Sequence, residues 1–398
     1  MIKKQLPIED LRVGMYVVEL DRPWLGTPFD FQGFLVTSDT QIQAIKAFCA
    51  TVFVDPEREH DVAPQRRESA LQIRGPVVYQ ELTPVETEVV NARAIYQTCE
   101  GAAQQSFETV RRDGTIDPQI VTSAVFSMTA SIQRNPDAMM LLNTLREKKT
   151  YELGRAMDTS ILMTTFGRFL QFPKERLQAL GVAGMLLDSG KIKLPDALLQ
   201  KKELISPGEF EQVKAHVMHS VELVRRANGS LPLGVDDIIL QHHEREDGSG
   251  YPNGLKGDQI TVDGSIAALV DSFSALTSSR SYAEQASPSN ALTLIHKLRG
   301  KLFKEALVER FIQCIGIYPV GSAVELNSGE VGIVIAQNQV RRLQPRVMII
   351  LGVDWRPVHP QVILDLVKQP KTDADEPYRI RRTLPKDKLP IDPYQFFL

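Results

Sequence analysis

The sequence predicts a multidomain, mainly α protein: a small α+β N-terminal domain, a central all-helical bundle and a short β-rich C-terminal extension. Three observations carry this prediction. Short runs of β-branched and aromatic residues lie near both ends of the chain. Between them, apolar residues recur at spacings of three, four and seven, the period of a helix with one buried face. The 398 residues, 43% hydrophobic and 24% charged, have an ordinary globular balance and the length for two or three domains.

Residues 1–55 form the strand-rich module. Gly14 to Leu20 is a β-type run opened by glycine, Phe34-Leu35-Val36 a second strand and Thr51 to Asp55 a third. Ile42, Ile45 and Phe48 between them have helical spacing. Pro23-Trp24 and Thr27-Pro28-Phe29 mark turns, and Trp24 and Phe29 are read as core packing ahead of a pocket lining. Residues 56–85, rich in charge and proline, read as a linker with His60 exposed in it.

Residues 86–148 read as a helical connector. Val89, Ala92, Tyr96, Cys99, Ala103 and Val110 line one face, and Asp113-Gly114 ends that helix. A second helix carries Val121, Ala124, Val125, Met128 and Ile132 and stops before Pro136. This seam is read first as packing, with dimerisation or signal relay as a second reading. A further helix starts near Asp137 and the next near Tyr151.

In residues 149–312 the small residues Ala179, Gly181, Ala183 and Gly184 favour close packing on the helix that starts near Tyr151. Glu209–Arg226 carries His216, Val235–Glu244 carries His242 and His243, and Ile266–Leu276 carries Asp271. Ligand candidates on several helices are the usual way to build a metal site in a bundle. Residues 313–370 hold the β-runs Ala323–Leu326, Gly332–Ala336 and Val347–Leu351, with Asn327-Ser328-Gly329 as a turn. Residues 371–398 form a charged, proline-rich tail that only docking would order.

Composition excludes some classes. A formal net charge of -3 argues against binding a nucleic-acid polymer through a basic surface, but not against one small anion in a pocket. The three cysteines, Cys49, Cys99 and Cys314, are far apart and fit a reducing compartment. No apolar run reaches the ~18 residues of a membrane span, and the first residues lack the apolar run of a signal peptide. A cytoplasmic location is the expectation.

The chemistry concentrates in His242-His243-Glu244-Arg245-Glu246-Asp247-Gly248-Ser249-Gly250-Tyr251-Pro252. Neutral imidazoles are the commonest protein metal ligands, and the glycines let the turn press against its surroundings. The string resembles the signature of the HD-GYP family, HD-type metal-dependent phosphohydrolases that cleave cyclic di-GMP. The Leu-x-x-Gly-Met-Tyr-Val opening, the closing Val-Phe-Val-Asp of the N-terminal module and the β-rich tail extend the resemblance over nearly the whole chain.

The resemblance implies an HD-type phosphohydrolase bundle and a two-metal site. The first metal would take an early His, the His and Asp of a His-Asp doublet, and a late Asp. The second would share the doublet Asp and take three further histidines. The doublet falls on Leu187-Asp188, followed by Gly190-Lys191, and the early His falls on Arg155. His216, His242, His243 and Asp271 match the remaining ligands, which leaves the metal set Asp188, His216, His242, His243 and Asp271.

Asp188 and Lys191 are the catalytic candidates, and Arg155, Lys191 and Arg280 the phosphate-binding ones. Asp247, Gly248, Gly250, Tyr251 and Pro252 form the signature loop. Taken alone, Lys191 is read first as a solvated turn lysine, and His219 as a partly exposed helix residue ahead of a support for His216, while Tyr251 is as well read as a ring covering a helix end. His296 and His359 match no motif.

Leucine has no lone pair to offer, and arginine is permanently cationic. Arg155 is therefore read as replacing the charge of the first metal while holding a phosphate or a carboxylate such as Asp188. The cofactor expectation is at most one divalent ion per chain, iron, manganese or zinc. Three functions remain open. One is a cyclic di-GMP protein with weakened or lost hydrolysis that acts through the nucleotide or through partners such as diguanylate cyclases at the Tyr251 loop. Another is an active phosphodiesterase giving pGpG or GMP. The third is a purely structural interaction module, and a homodimer is compatible with all three.

Overall fold

The computed structural model describes residues 3–397 apart from 22–33, 37–38, 48, 56–72, 146–149, 200, 202, 228, 279–285, 339 and 386–387. The chain divides into two units, Met1–Gln72 and Ile73–Leu398. The first holds strands β1 (Lys4–Pro7), β2 (Tyr16–Leu20), β3 (Phe34–Leu35) and β4 (Thr51–Val54) and helix α1 (Asp39–Lys46). Their antiparallel order is β1-β4-β2-β3. Alternation sets the core here: Val52 and Val54 are buried while Thr51 and Phe53 are half-buried, and Ile42 and Ile45 of α1 close over them. The polar β1 is an edge strand without alternation, which is why its sequence gives no strand signal. Trp24, Phe29 and His60 lie outside the described residues.

The second unit opens with helices α2 (Val85–Asp113), α3 (Pro118–Arg134) and α4 (Pro136–Leu145). Gly114, left-handed at φ 67°, caps α2 as its Asp113-Gly114 step predicts. Then follow α5 (Tyr151–Phe169), α6 (Lys174–Leu186), α7 (Asp196–Leu199), α8 (Pro207–Arg226), α9 (Val235–Gln241), α10 (Val262–Thr277), α11 (Pro288–Lys297) and α12 (Glu305–Ile315).

Every residue of α5 from Leu153 to Arg168 is buried, which makes it the axis of the bundle. The small residues of α6 let that helix close on it. Thr159 Oγ1 donates to the Gly184 carbonyl at 2.5 Å and Ser160 Oγ to the Gly181 carbonyl at 2.7 Å. Phe311 of α12 meets Phe166 of α5 and Phe273 of α10 edge-on, at 5.1 and 5.2 Å. One buried cluster joins α2–α4 to the rest, running from Ile73 to Phe397.

A five-stranded antiparallel sheet follows: β5 (Ala323–Leu326), β6 (Val331–Ala336), β7 (Arg346–Leu351), β8 (Pro357–Asp365) and β9 (Ile380–Leu384), in the order β8-β7-β6-β5-β9. Two edge strands go beyond the three β-runs that the sequence marks. β9 comes from the charged tail, ordered by docking against β5. Asp137 Oδ2 accepts the Gln337 N–H at 3.0 Å, which ties α4 to the end of β6. Burial pushes the Asp137 carboxyl up to about 7.

Candidate metal centre

Four donors converge between α6, α8 and α9. One atom each from Asp188, His216, His242 and His243 lies within 4.8 Å of the others. His216 Nε2 stands 3.5 Å from His242 Nε2 and 3.5 Å from Asp188 Oδ1. Donors each about 2.1 Å from one shared ion stand roughly 3–4 Å apart, so this spacing suits a single divalent cation.

The helices aim these atoms in one repeated way. His216 Nδ1 donates to the Val213 carbonyl at 2.5 Å and His242 Nδ1 to the Ile239 carbonyl at 2.6 Å, each three residues back on its own helix. That bond fixes the tautomer and leaves Nε2 as a lone pair facing the cluster. Burial pushes the His216 imidazole down to about 4, His242 down as well and His243 well below its ordinary value. All three are neutral at pH 7, the state that binds a metal. The sequence reading carries the His pair inside a helix, but α9 ends at Gln241. His242 caps it, and the two rings sit 4.0 Å apart on the turn.

Asp188 follows α6 and opens a short 3₁₀ segment, Ser189–Lys193. A Cβ on Gly190 would fall 2.2 Å from the His216 carbonyl, so only glycine lets this segment lie against α8. Ser220 pins it there: its hydroxyl accepts the Gly190 N–H at 2.8 Å and donates to the Leu187 carbonyl at 2.9 Å. Lys191 Nζ donates to Asp188 Oδ2 at 2.8 Å, while the buried Oδ1 has no hydrogen-bond partner. Burial raises the Asp188 carboxyl, but the Lys191 ammonium first, with the Arg155 guanidinium behind it, outweighs it and holds it well below the usual carboxylate range. An orphaned anionic oxygen beside three neutral imidazoles fits a divalent cation, and these four residues would hold it.

Asp271, on α10, stands outside this donor group. Arg155 of α5 takes its carboxylate with Nη2 and its backbone carbonyl with Nη1, the latter at 3.0 Å. Both side chains are buried. Burial opposes the Arg155 charge, but Asp271 and then Asp188 keep it above its ordinary value. The carboxylate that Arg155 holds is thus that of Asp271 and not Asp188. Leu187 is buried in the main apolar cluster. Arg280 lies outside the described residues.

The signature loop is a hydrogen-bonded turn. Asp247 Oδ1 accepts from the Ser249 N–H and hydroxyl, and Gly248 is left-handed at φ 82°. A Cβ on Gly250 would lie 2.5 Å from the His243 carbonyl. Tyr251 stacks on His243 at 4.6 Å and 30°, ahead of the cis Tyr251–Pro252 bond. Two contributors escape the sequence reading. Glu244 is buried, and its carboxylate accepts the Asn253 and Leu255 N–H groups at 2.7 and 2.9 Å. Its place directly after the His pair was the available signal. Phe210, one turn before Lys214, meets Tyr251 edge-on at 5.9 Å. His219 is half-exposed on α8, and His296 and His359 lie in α11 and β8 with no place in the donor group.

Two family models match the chain, and the first of them in chain order runs past the Gln72 boundary into α2 and α3. The family described as HD domain matches residues 139–307, and a domain of unknown function (DUF3391) matches residues 3–120. A cyclic di-GMP phosphodiesterase of Pseudomonas aeruginosa is 30% identical over 376 residues, 93% of this chain and 90% of that protein. A cyclic di-GMP phosphodiesterase of Thermotoga maritima is 42% identical over 132 residues, 33% of this chain and 36% of that protein. A solved HDG"Y"P protein, Bd1817 from Bdellovibrio bacteriovorus, aligns with a TM-score of 0.47 and 14% identity over 78% of this chain and 98% of that one.

Proposed function

The chain belongs to the HD-GYP family, and on that premise we propose that it is a cyclic di-GMP signalling protein whose hydrolysis is weakened or lost. It binds the nucleotide, a partner at the Tyr251 loop, or both, in the cytoplasm where such messengers act. The observation that carries this reading is the buried Arg155–Asp271 pair. It puts a fixed cation beside one end of the site and occupies a carboxylate that a second ion would need. Leu187 adds no donor on the same side. One divalent ion, iron, manganese or zinc, then belongs to Asp188, His216, His242 and His243. When bound, such an ion polarises a phosphoryl oxygen and acidifies water. Lys191 and Arg155 supply positive charge for the ligand phosphates, and Arg280 is a third candidate for that role.

The second reading, a working phosphodiesterase giving pGpG or GMP, draws support from the complete four-donor group and the free Asp188 Oδ1. One experiment separates the two: metal content on anaerobically purified protein, with cyclic di-GMP binding and hydrolysis measured on the same sample and on His242→Ala. We expect at most one metal per chain, binding and no turnover. Two metals with turnover that His242→Ala abolishes would establish the enzyme instead.

A further inference from the structure

An aromatic corner leads from the donor group to the surface. It starts at His243, continues through the stacked Tyr251 and turns at Phe210, whose ring stands at 84° to that of Tyr251. Phe210 is 43% exposed. Single exposed apolar side chains are ordinary, but this one has a charged frame. Lys214 Nζ lies 4.9 Å from the Phe210 centroid and 5.5 Å from that of Tyr251, and it donates to Glu211 Oε1 at 2.7 Å. A flat apolar face thus stands next to a cationic donor and an anionic acceptor. The loop beneath it is held still by Glu244 and by the Tyr251 N–H to His243 carbonyl bond of 3.2 Å.

We infer that Phe210, with the Glu211–Lys214 pair beside it, seats one guanine of a cyclic dinucleotide whose phosphate lies at Lys191. This rests on the proposed function and specifies its ligand. Base–aromatic stacking accepts any base. The discrimination comes from the pair: Lys214 donates to guanine O6 or N7, and Glu211 accepts the adjacent N1–H and N2–H that adenine lacks. The exposed Glu211–Lys214 pair is worth little by itself, so a base displaces it at small cost.

The test is calorimetric titration of cyclic di-GMP and cyclic di-AMP into the full chain and the variants Phe210→Ala, Phe210→Leu, Lys214→Ala and Glu211→Gln, with metal content and thermal melting recorded for each. Phe210→Ala and Phe210→Leu should weaken cyclic di-GMP about 5- to 100-fold with metal content and melting unchanged. Lys214→Ala and Glu211→Gln should narrow the preference for guanine over adenine by about tenfold. Wild-type affinity in both Phe210 variants would overturn the guanine seat and leave the functional reading intact. A wild-type chain that binds neither nucleotide would overturn the seat and reduce the functional reading to its partner-binding arm. Loss of a purified diguanylate cyclase domain from Phe210→Ala, with nucleotide binding kept, would assign the face to protein docking and overturn the seat.

Discussion

Arg155 grips Asp271 twice, through its carboxylate and through its backbone carbonyl at 3.0 Å, so the charge and the chain direction of α10 are fixed by one guanidinium of α5. Breaking such a buried pair on one side leaves a lone charge and costs about 3–5 kcal/mol, whereas apolar replacement of both partners is often neutral. Arg155→Met should therefore lower stability by that amount in denaturant unfolding. Arg155→Met/Asp271→Leu should return to within about 1 kcal/mol of the parent. Additive losses in the double variant would refute the pairing.

Placing histidine at positions 155 and 187, where the family resemblance expects it, tests the reading of the site directly. Arg155→His/Leu187→His frees Asp271 and adds two donors on its side. We expect the metal content to rise by about one ion per chain, and metal-dependent cyclic di-GMP hydrolysis, absent from the parent, to appear. Unchanged stoichiometry by elemental analysis would mean that Arg155 and Leu187 are not what limits the site.

Glu244 holds the signature loop through two backbone amides. Its loss leaves both without an acceptor, at about 1–3 kcal/mol for each group. In hydrogen exchange, the Asn253 and Leu255 amides should be protected in the parent chain and exchange at least tenfold faster in Glu244→Ala. Equal rates would show that the loop stands without it.

Asp137 gives the fold a pH dependence. Its folded-state pKa of about 7 lies above the ordinary value of 3.8, so the folded state holds the proton more tightly. The stability it contributes is present in full below the unfolded value and is lost as pH rises through about 7. Asp137→Asn keeps an acceptor for the Gln337 N–H, and should raise Tm by at least about 2 °C at pH 8 while changing it little at pH 4. A uniform shift at both pH values would contradict this account.

The helices were legible because period 3.6 marks a buried face, and Val89, Ala92, Tyr96, Cys99 and Val110 all lie in the core. The donor residues were legible because His216, His242 and His243 stand in recognisable strings. The Arg155–Asp271 pair was not, since the partners are 116 residues apart and no local pattern records which carboxylate an arginine finds. β1 and β9 escaped for another reason: edge strands need only one partner and no buried face, so they carry no alternation to read. Phe210 looked like any helix aromatic until Tyr251 was seen beside it.

The Arg93 guanidinium on α2 donates to the Phe397 carbonyl at 2.6 Å, and the Phe397 ring is buried in the same cluster as Ile73. On the ribosome, α2 and β5 emerge before the segments that meet them here. Until those leave the exit tunnel, Arg93 lacks its carbonyl partner and the β5 edge stands open to water and to chaperones. Closure of this sheet is thus timed by synthesis, and a stalled chain cut before β9 would present an unpaired β5 edge to the cell's quality control.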